Sequence, residues 1–312
     1  MIEELNKILD VKLDFDLSNY NTYKLESTAK VFLSIKNTEE LKKVIDVLDK
    51  YKSKWFVIGN GSNIILPSYY DGVVIKLEGF DNYEIKDDKV IAESCCMINK
   101  LANNISNLGY KGLEWACGVP GTIGGSVCGN AGCYGSSISN VLESCTVLEN
   151  GKIKELKNSD LMFDYRTSML KENKNIIVLD ATFKIEEGDK EILKSFISEK
   201  MEARRKSQDL THPSNGSVFR NPEGFSAGKL IDDLGLKGYS IGGASISTIH
   251  ANFIINNGNA KSEDIINLID YIKQEVKKHY DIDLVLEQEI IKWHFKWSAI
   301  FNAIKNQVFT LN

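Results

Sequence analysis

Three short stretches carry side chains able to move charge or protons. Phe163-Asp164-Tyr165-Arg166-Thr167-Ser168 sets a permanent cation, Arg166, among hydroxyls. A guanidinium grips a carboxylate through two parallel hydrogen bonds; an ion pair with Asp164 is the structural alternative. Asn215-Gly216-Ser217-Val218-Phe219-Arg220-Asn221-Pro222 places the Ser217 hydroxyl behind a permissive glycine, with a cation and an amide close by. It lacks the G-x-S-x-G elbow of a hydrolase nucleophile, and a plain turn serine has the same surroundings. Glu289 lies on an apolar strand near the end of the patterned sequence, where burial would raise its carboxyl into the range of proton chemistry. An exposed strand carboxylate is the competing reading, and Glu287 competes for the same role.

Two glycine-rich segments could hold a ligand for these groups. Gly59-Asn60-Gly61-Ser62-Asn63 follows a short apolar strand, and such a turn can bring bare N–H groups close to an anion. The third glycine and the following helix of a dinucleotide fingerprint are missing, so the Rossmann reading fails, and no P-loop is present. Alone, the segment reads as a tight turn. The second segment, GVPGTIGGSVCGNAGCYG over 118–135, changes that balance. Pro120-Gly121-Thr122-Ile123-Gly124-Gly125 combines a proline with three glycines and is expected to be neither a good helix nor a central strand. Asn130-Ala131-Gly132-Cys133-Tyr134-Gly135 repeats the device. Two such walls around one β-rich unit point to a large cofactor, against the alternative of a string of bulges.

The elements that must position these groups follow from periodicity. Leu41, Val44, Ile45 and Leu48 form one helical stripe from Asn37 to about Tyr51, opened by a capping box of Asn37 with Glu40. Trp55–Ile58 and Val73–Ile75 read as strands. Ile98, Leu101, Ala102, Ile105 and Leu108 mark a helix stopped by Gly109. Strands and turns dominate to about Phe183, and Glu186-Glu187-Gly188-Asp189 reads as a linker. A charged helix over 190–206 precedes residues 212–257. A second periodic helix carries Ile265, Leu268, Ile269, Ile272 and Val276 behind Ser262 as N-cap, and a strand from Leu284 to Ile291 puts Glu287 and Glu289 on one side. Residues 292–312 hold two of the four tryptophans and no acid. Their apolar stripe is expected to pack on protein, with attachment to a membrane surface as the alternative.

Composition narrows the function. The chain has 312 residues, enough for two or three lobes, and 43% hydrophobic residues, which excludes a disordered chain. Acids outnumber bases 43 to 38, against broad nucleic-acid binding. No apolar run approaches the about 18 residues of a membrane span, and the first residues carry acids rather than a signal peptide. The expectation is a cytoplasmic protein with reduced thiols, since six cysteines without an export signal do not suggest a disulfide framework. No C-x-x-C or H-E-x-x-H spacing occurs, so no metal site is expected.

Taken together, the motifs resemble the UDP-N-acetylenolpyruvoylglucosamine reductase (MurB) family. The carrying residues, in family order, are Gly59–Asn63, Gly118–Gly135, Tyr165-Arg166-Thr167-Ser168, Gly216–Pro222, Ala227–Gly238, His250–Asn256 and Leu286–Glu289. The short span from Arg166 to Ser217 leaves no room for the tyrosine-bearing insertion of one branch, so the chain resembles the shorter branch. Glu26-Ser27-Thr28-Ala29 stands where the family usually shows Gly-Gly-Pro-Ala.

The resemblance implies an α+β fold: an FAD-binding unit of the vanillyl-alcohol-oxidase (PCMH) type in two lobes (1–68 and 69–188), a substrate-binding lobe (189–291) and a basic, aromatic tail (292–312). It implies non-covalent FAD, NADPH as co-substrate, and reduction of a UDP-sugar enolpyruvyl ether in peptidoglycan precursor synthesis, by a monomer or weak homo-oligomer. Ser217 would protonate the enolate, with Arg166 and Glu289 stabilising it. Gly59, Asn60, Gly61, Ser62, Asn63, Pro120, Gly121, Thr122, Gly124, Gly125, Asn130, Ala131, Gly132 and Tyr134 would bind the cofactor. Tyr165, Arg220, Asn221 and His250 would bind substrate. A flavin oxidase of the same fold and a non-enzymatic nucleotide sensor are the alternatives.

Overall fold

In a computed structural model, which describes residues 1–173 and 175–292, three lobes grow from the periodic segments. The expected tail helix lies outside the described residues from residue 293 onward.

The first lobe is a four-stranded sheet in the order Val11–Asp16, Thr28–Ser34, Tyr69–Lys76, Trp55–Val57. Thr28–Ser34 and Trp55–Val57 both run parallel to Tyr69–Lys76, and parallel neighbours require a crossover. The helix Thr38–Lys50 supplies it, burying Leu41, Val44, Ile45 and Leu48. Asn37 accepts from the Glu40 amide at 2.9 Å, while the Glu40 carboxylate turns back to the Lys36 amide at 2.8 Å, one residue before the predicted box partner. The sheet takes a strand from 69–76, so it extends past the boundary anticipated at residue 68.

The second lobe is a five-stranded antiparallel sheet, ordered Lys152–Lys157, Leu142–Glu149, Ile176–Lys184, Lys89–Glu93, Tyr83–Lys86. The helix Ile98–Leu108 closes over it with Ile98, Leu101, Ala102 and Ile105 in the same core as Val90 and Phe183. It ends at Gly109, whose φ of 96° is left-handed. Two predictions fail here. The glycine run contains a short helix, Ile123–Cys128, because Pro120 stays outside it, Thr122 caps it, and Ile123 and Val127 are buried. Packing of those two side chains outweighs a helix penalty of about 1 kcal/mol per glycine. Nor is 186–189 a free linker. Glu186–Glu187 pairs with Tyr110–Lys111, and Asp189 caps the helix Lys190–Ser207.

The third lobe is a small antiparallel sheet of Ser240–Ile241, Ala244–Ile246 and Ile254–Asn256. The helices Ala227–Asp233 and Ser262–Tyr280 share its core. Lys261, not Ser262, is the N-cap of the second helix. The Ser262 hydroxyl is spent on Leu66 O of the first lobe, and Asp264 accepts from the Lys261 and Gly243 amides at 2.9 and 3.0 Å. The predicted 284–291 strand forms a ladder only at Glu289–Ile290, parallel to Ile64–Ile65. Tyr23, Leu25 and Ile65 are buried in this lobe's core, so the first and third lobes are joined by apolar packing as well as by strand pairing. Among the described residues, no helix is long and apolar enough to cross a membrane.

Candidate active site

A cavity of about 760 Å³ opens where the three lobes meet, within the range of about 300–1,000 Å³ found for small-molecule sites. Both glycine segments line it. Gly61 has φ 63°, and a Cβ there would fall 2.1 Å from Tyr20 O, so only glycine fits. A Cβ on Gly59 would come 2.7 Å from Thr122 Oγ1, which puts the two segments in contact. Asn60 ties them further by donating to Pro120 O at 2.7 Å, and the Lys76 ammonium holds Gly59 O.

Ser217, Arg166 and Glu289 line this same cavity, brought there from separate stretches of chain. Gly216 turns at φ 73°, and Ser217 pairs with Phe253 as an isolated bridge. The Gln288 amide donates to Gly216 O and Ser217 O, each at 3.3 Å. Asn215 donates to Ile64 O at 2.7 Å and accepts from the Thr22 hydroxyl at 2.6 Å. The Glu289 amide donates to Asn63 O at 2.8 Å. Glu289 is thus pinned through its main chain to the first lobe's glycine turn, and the Ser217 turn is tied through the Asn215 side chain to the strand that follows it.

Arg166 adopts φ 59°, an uncommon conformation for a side chain of this size and one that marks functional turns. Its Nε donates to Glu287 Oε1 at 3.0 Å and its Nη2 to Gly132 O at 2.6 Å. The ion pair is therefore with Glu287 and not with Asp164, whose carboxylate accepts from the Tyr165 amide. Burial pushes the Glu287 carboxyl up, against the pull of Arg166. Lys171 also lines the cavity, and burial, followed by repulsion from Arg220, pushes its ammonium down.

Of the anticipated cofactor residues, Gly59–Asn63, Pro120, Gly121, Thr122, Gly124, Gly125, Ala131 and Gly132 line the cavity, whereas Asn130 and Tyr134 do not. Asn130 is buried and clamps its loop, donating to Asp164 O and accepting from the Ser139 amide, both at 3.0 Å. Tyr134 is exposed and sets its ring edge-on to Phe196. The four anticipated substrate residues also stand off the cavity lining. Tyr165 covers the Arg166 guanidinium, and Arg220 donates to Arg166 O at 3.3 Å. Asn221 accepts from the Ala227 amide at 3.0 Å. His250 lies against Phe253 and accepts from the Asn252 amide at 3.2 Å, while burial pushes its imidazole down.

Sequence reasoning missed Lys171, Arg204, Gln208 and His212, all on the cavity wall. Arg204 belongs to a Lys- and Arg-rich helix whose pattern reads as a solvated face, so no spacing distinguished it from Arg205. Four cysteines also line the cavity; burial holds them as thiols, with Cys133 pushed up to about 11 and Cys128 to about 12.

Residues 29–157 match the FAD binding domain family, and residues 208–291 match the C-terminal domain of UDP-N-acetylenolpyruvoylglucosamine reductase. The reductase of that name from Halalkalibacterium halodurans is 40% identical over 93% of this chain and 98% of its own. The chain belongs to the UDP-N-acetylenolpyruvoylglucosamine reductase family. The Bacillus subtilis member is 40% identical over 88% of this chain and 92% of its own. The crystal structure of the Thermus caldophilus reductase superposes with a TM-score of 0.77 at 30% identity, covering 90% of this chain and 98% of that one. The α+β architecture with an FAD-binding unit is thus the family's own.

The cavity suits a flavin dinucleotide. Ser94 and Ser126 are buried, line the cavity, and have hydroxyls with no partner in the described protein; the carbonyl oxygen of Gln208 is in the same position. Buried polar atoms are rarely left unpaired, so such atoms beside two glycine walls fit a ligand with many donors and acceptors.

Proposed function

We propose that this protein reduces UDP-N-acetylglucosamine enolpyruvate to UDP-N-acetylmuramate, using NADPH through FAD held in the cavity. The convergence of Ser217, Arg166 and Glu289 on one glycine-walled cavity carries this reading. Gly59–Asn63 and Gly121–Gly125 would hold the cofactor by letting it approach bare main chain, with the Ile123 and Gly124 amides already spent on Cys96 O and Ser94 O. Bound there, FAD supplies hydride transfer, which no side chain of the protein can perform.

The chain's own residues manage charge and protons. Hydride addition beside a carboxylate leaves an enolate, and Arg166 meets that charge with the guanidinium hydrogens not used on Glu287 and Gly132. Glu287 fixes the direction of the guanidinium, so the cation need not reorganise as charge develops. Ser217 Oγ delivers its proton to C2 of the enolate, a base strong enough to take it when the geometry is held. Glu289 helps stabilise the same intermediate from the strand pinned to Asn63.

The test is substrate-dependent turnover. Purified protein should be yellow, bleach with NADPH under anaerobic conditions, and regain colour on addition of the enolpyruvyl sugar nucleotide. Rapid recolouring by oxygen that is indifferent to the sugar nucleotide would refute the reductase in favour of an oxidase.

A further inference from the structure

One cation on the cavity wall has no place in the chemistry above. Arg204 sits in the last turn of the helix Lys190–Ser207, beside Arg205 and Lys206. Basic residues are favoured there by the helix dipole, which accounts for all three but not for their directions. Arg205 and Lys206 are exposed, whereas Arg204 is half-buried and lines the cavity. Arg166 has Glu287 beside it, and Lys171 feels both Glu287 and Glu289. Arg204 forms no ion pair with any carboxylate among the described residues.

Its neighbours on the protein side are neutral. The guanidinium lies over Gly118, where a Cβ would come 2.9 Å from Nη1, so that glycine leaves room for the cation. Cys117, Cys133 and the Tyr134 hydroxyl also surround it, and none carries charge near neutral pH, since each ordinarily ionises well above neutrality and partial loss of solvent raises it further. A partly desolvated cation among neutral groups is costly unless an anion completes it. The planar fork of a guanidinium matches a phosphate in particular.

We infer that Arg204 is a ligand-binding residue that takes a nucleotide phosphate, presented to the cavity by a helix packed on Ile98–Leu108 and Glu114–Gly118 of the second lobe. The inference rests on the reading of the cavity as a site for FAD, NADPH and a uridine diphosphate sugar, each of which carries phosphate.

The test compares Arg204→Met, which keeps an apolar stem of similar length, with the parent protein. Dissociation constants are measured for FAD by its release on dilution of the holoenzyme, and for NADP+, which carries the phosphates of NADPH but cannot reduce the flavin, and uridine diphosphate by titration of the oxidised holoenzyme. Loss of a charge-assisted bond should weaken one of the three by about tenfold or more, with the unfolding midpoint unchanged. Whichever ligand weakens identifies the source of the phosphate. All three constants within about twofold of the parent would overturn the inference, as would a uniform loss accompanied by a lower unfolding midpoint. A parent protein that takes up no FAD would instead sink the functional reading beneath it.

Discussion

Replacing Ser217 by alanine separates proton delivery from everything else the cavity does. Ser217 is held through its main chain, by the Gln288 amide on its carbonyl at 3.3 Å and by the bridge to Phe253. Its hydroxyl makes no hydrogen bond within the described protein. Deleting Oγ therefore leaves the turn intact, and stability should change by no more than about 0.5 kcal/mol. A positioned general acid contributes about 10²–10⁴ in rate, which is about 3–5 kcal/mol of transition-state free energy. That loss should fall entirely on reoxidation by the enolpyruvyl substrate. Stopped-flow absorbance of the flavin follows the two half-reactions separately: bleaching by NADPH should match the parent, and recolouring by substrate should slow by at least about 10². Equal slowing of both half-reactions would mean that the substitution disturbs the cofactor site, and unchanged recolouring would mean that the proton comes from elsewhere. Either result refutes the assignment.

Gly61→Ala forces a side chain into φ 63° and against Tyr20 O at 2.1 Å. Left-handed backbone alone costs about 1–2 kcal/mol, so the unfolding midpoint and the FAD content of the purified protein should both fall. Arg166→Met leaves Glu287 without its cation; both partners of this pair are about a fifth exposed, so the cost should be about 2 kcal/mol, below the 3–5 of a fully buried pair. Adding Glu287→Gln should return part of that stability in urea titrations, because the stranded carboxylate is gone. His250 has a folded pKa below its ordinary 6.5, so the unfolded chain binds more protons, and stability should fall as pH drops from about 7 through the window below 6.5. His250→Gln should flatten the midpoint-against-pH curve over that window, and an unchanged slope would assign the effect to another group.

The sequence alone determined the periodic elements. The stripe of Leu41, Val44, Ile45 and Leu48 and the Gly109 stop needed only local rules, because helical spacing and a left-handed C-cap are encoded within a few residues. It also determined the residue types of the site, through motifs whose order along the chain resembles one family. Tertiary structure decided the rest. Gly124 and Gly125 became helical because Ile123 and Val127 had a core to enter, and Ser262 turned from a cap into a tie to Leu66 because the first lobe lay against it. Arg166 chose Glu287 over Asp164, a partner 121 residues away over its chain neighbour. Arg204 turned inward while Arg205 stayed in water, although the sequence treats them alike. Local spacing sets which face of an element is apolar, but which charge is desolvated depends on what another lobe places opposite it.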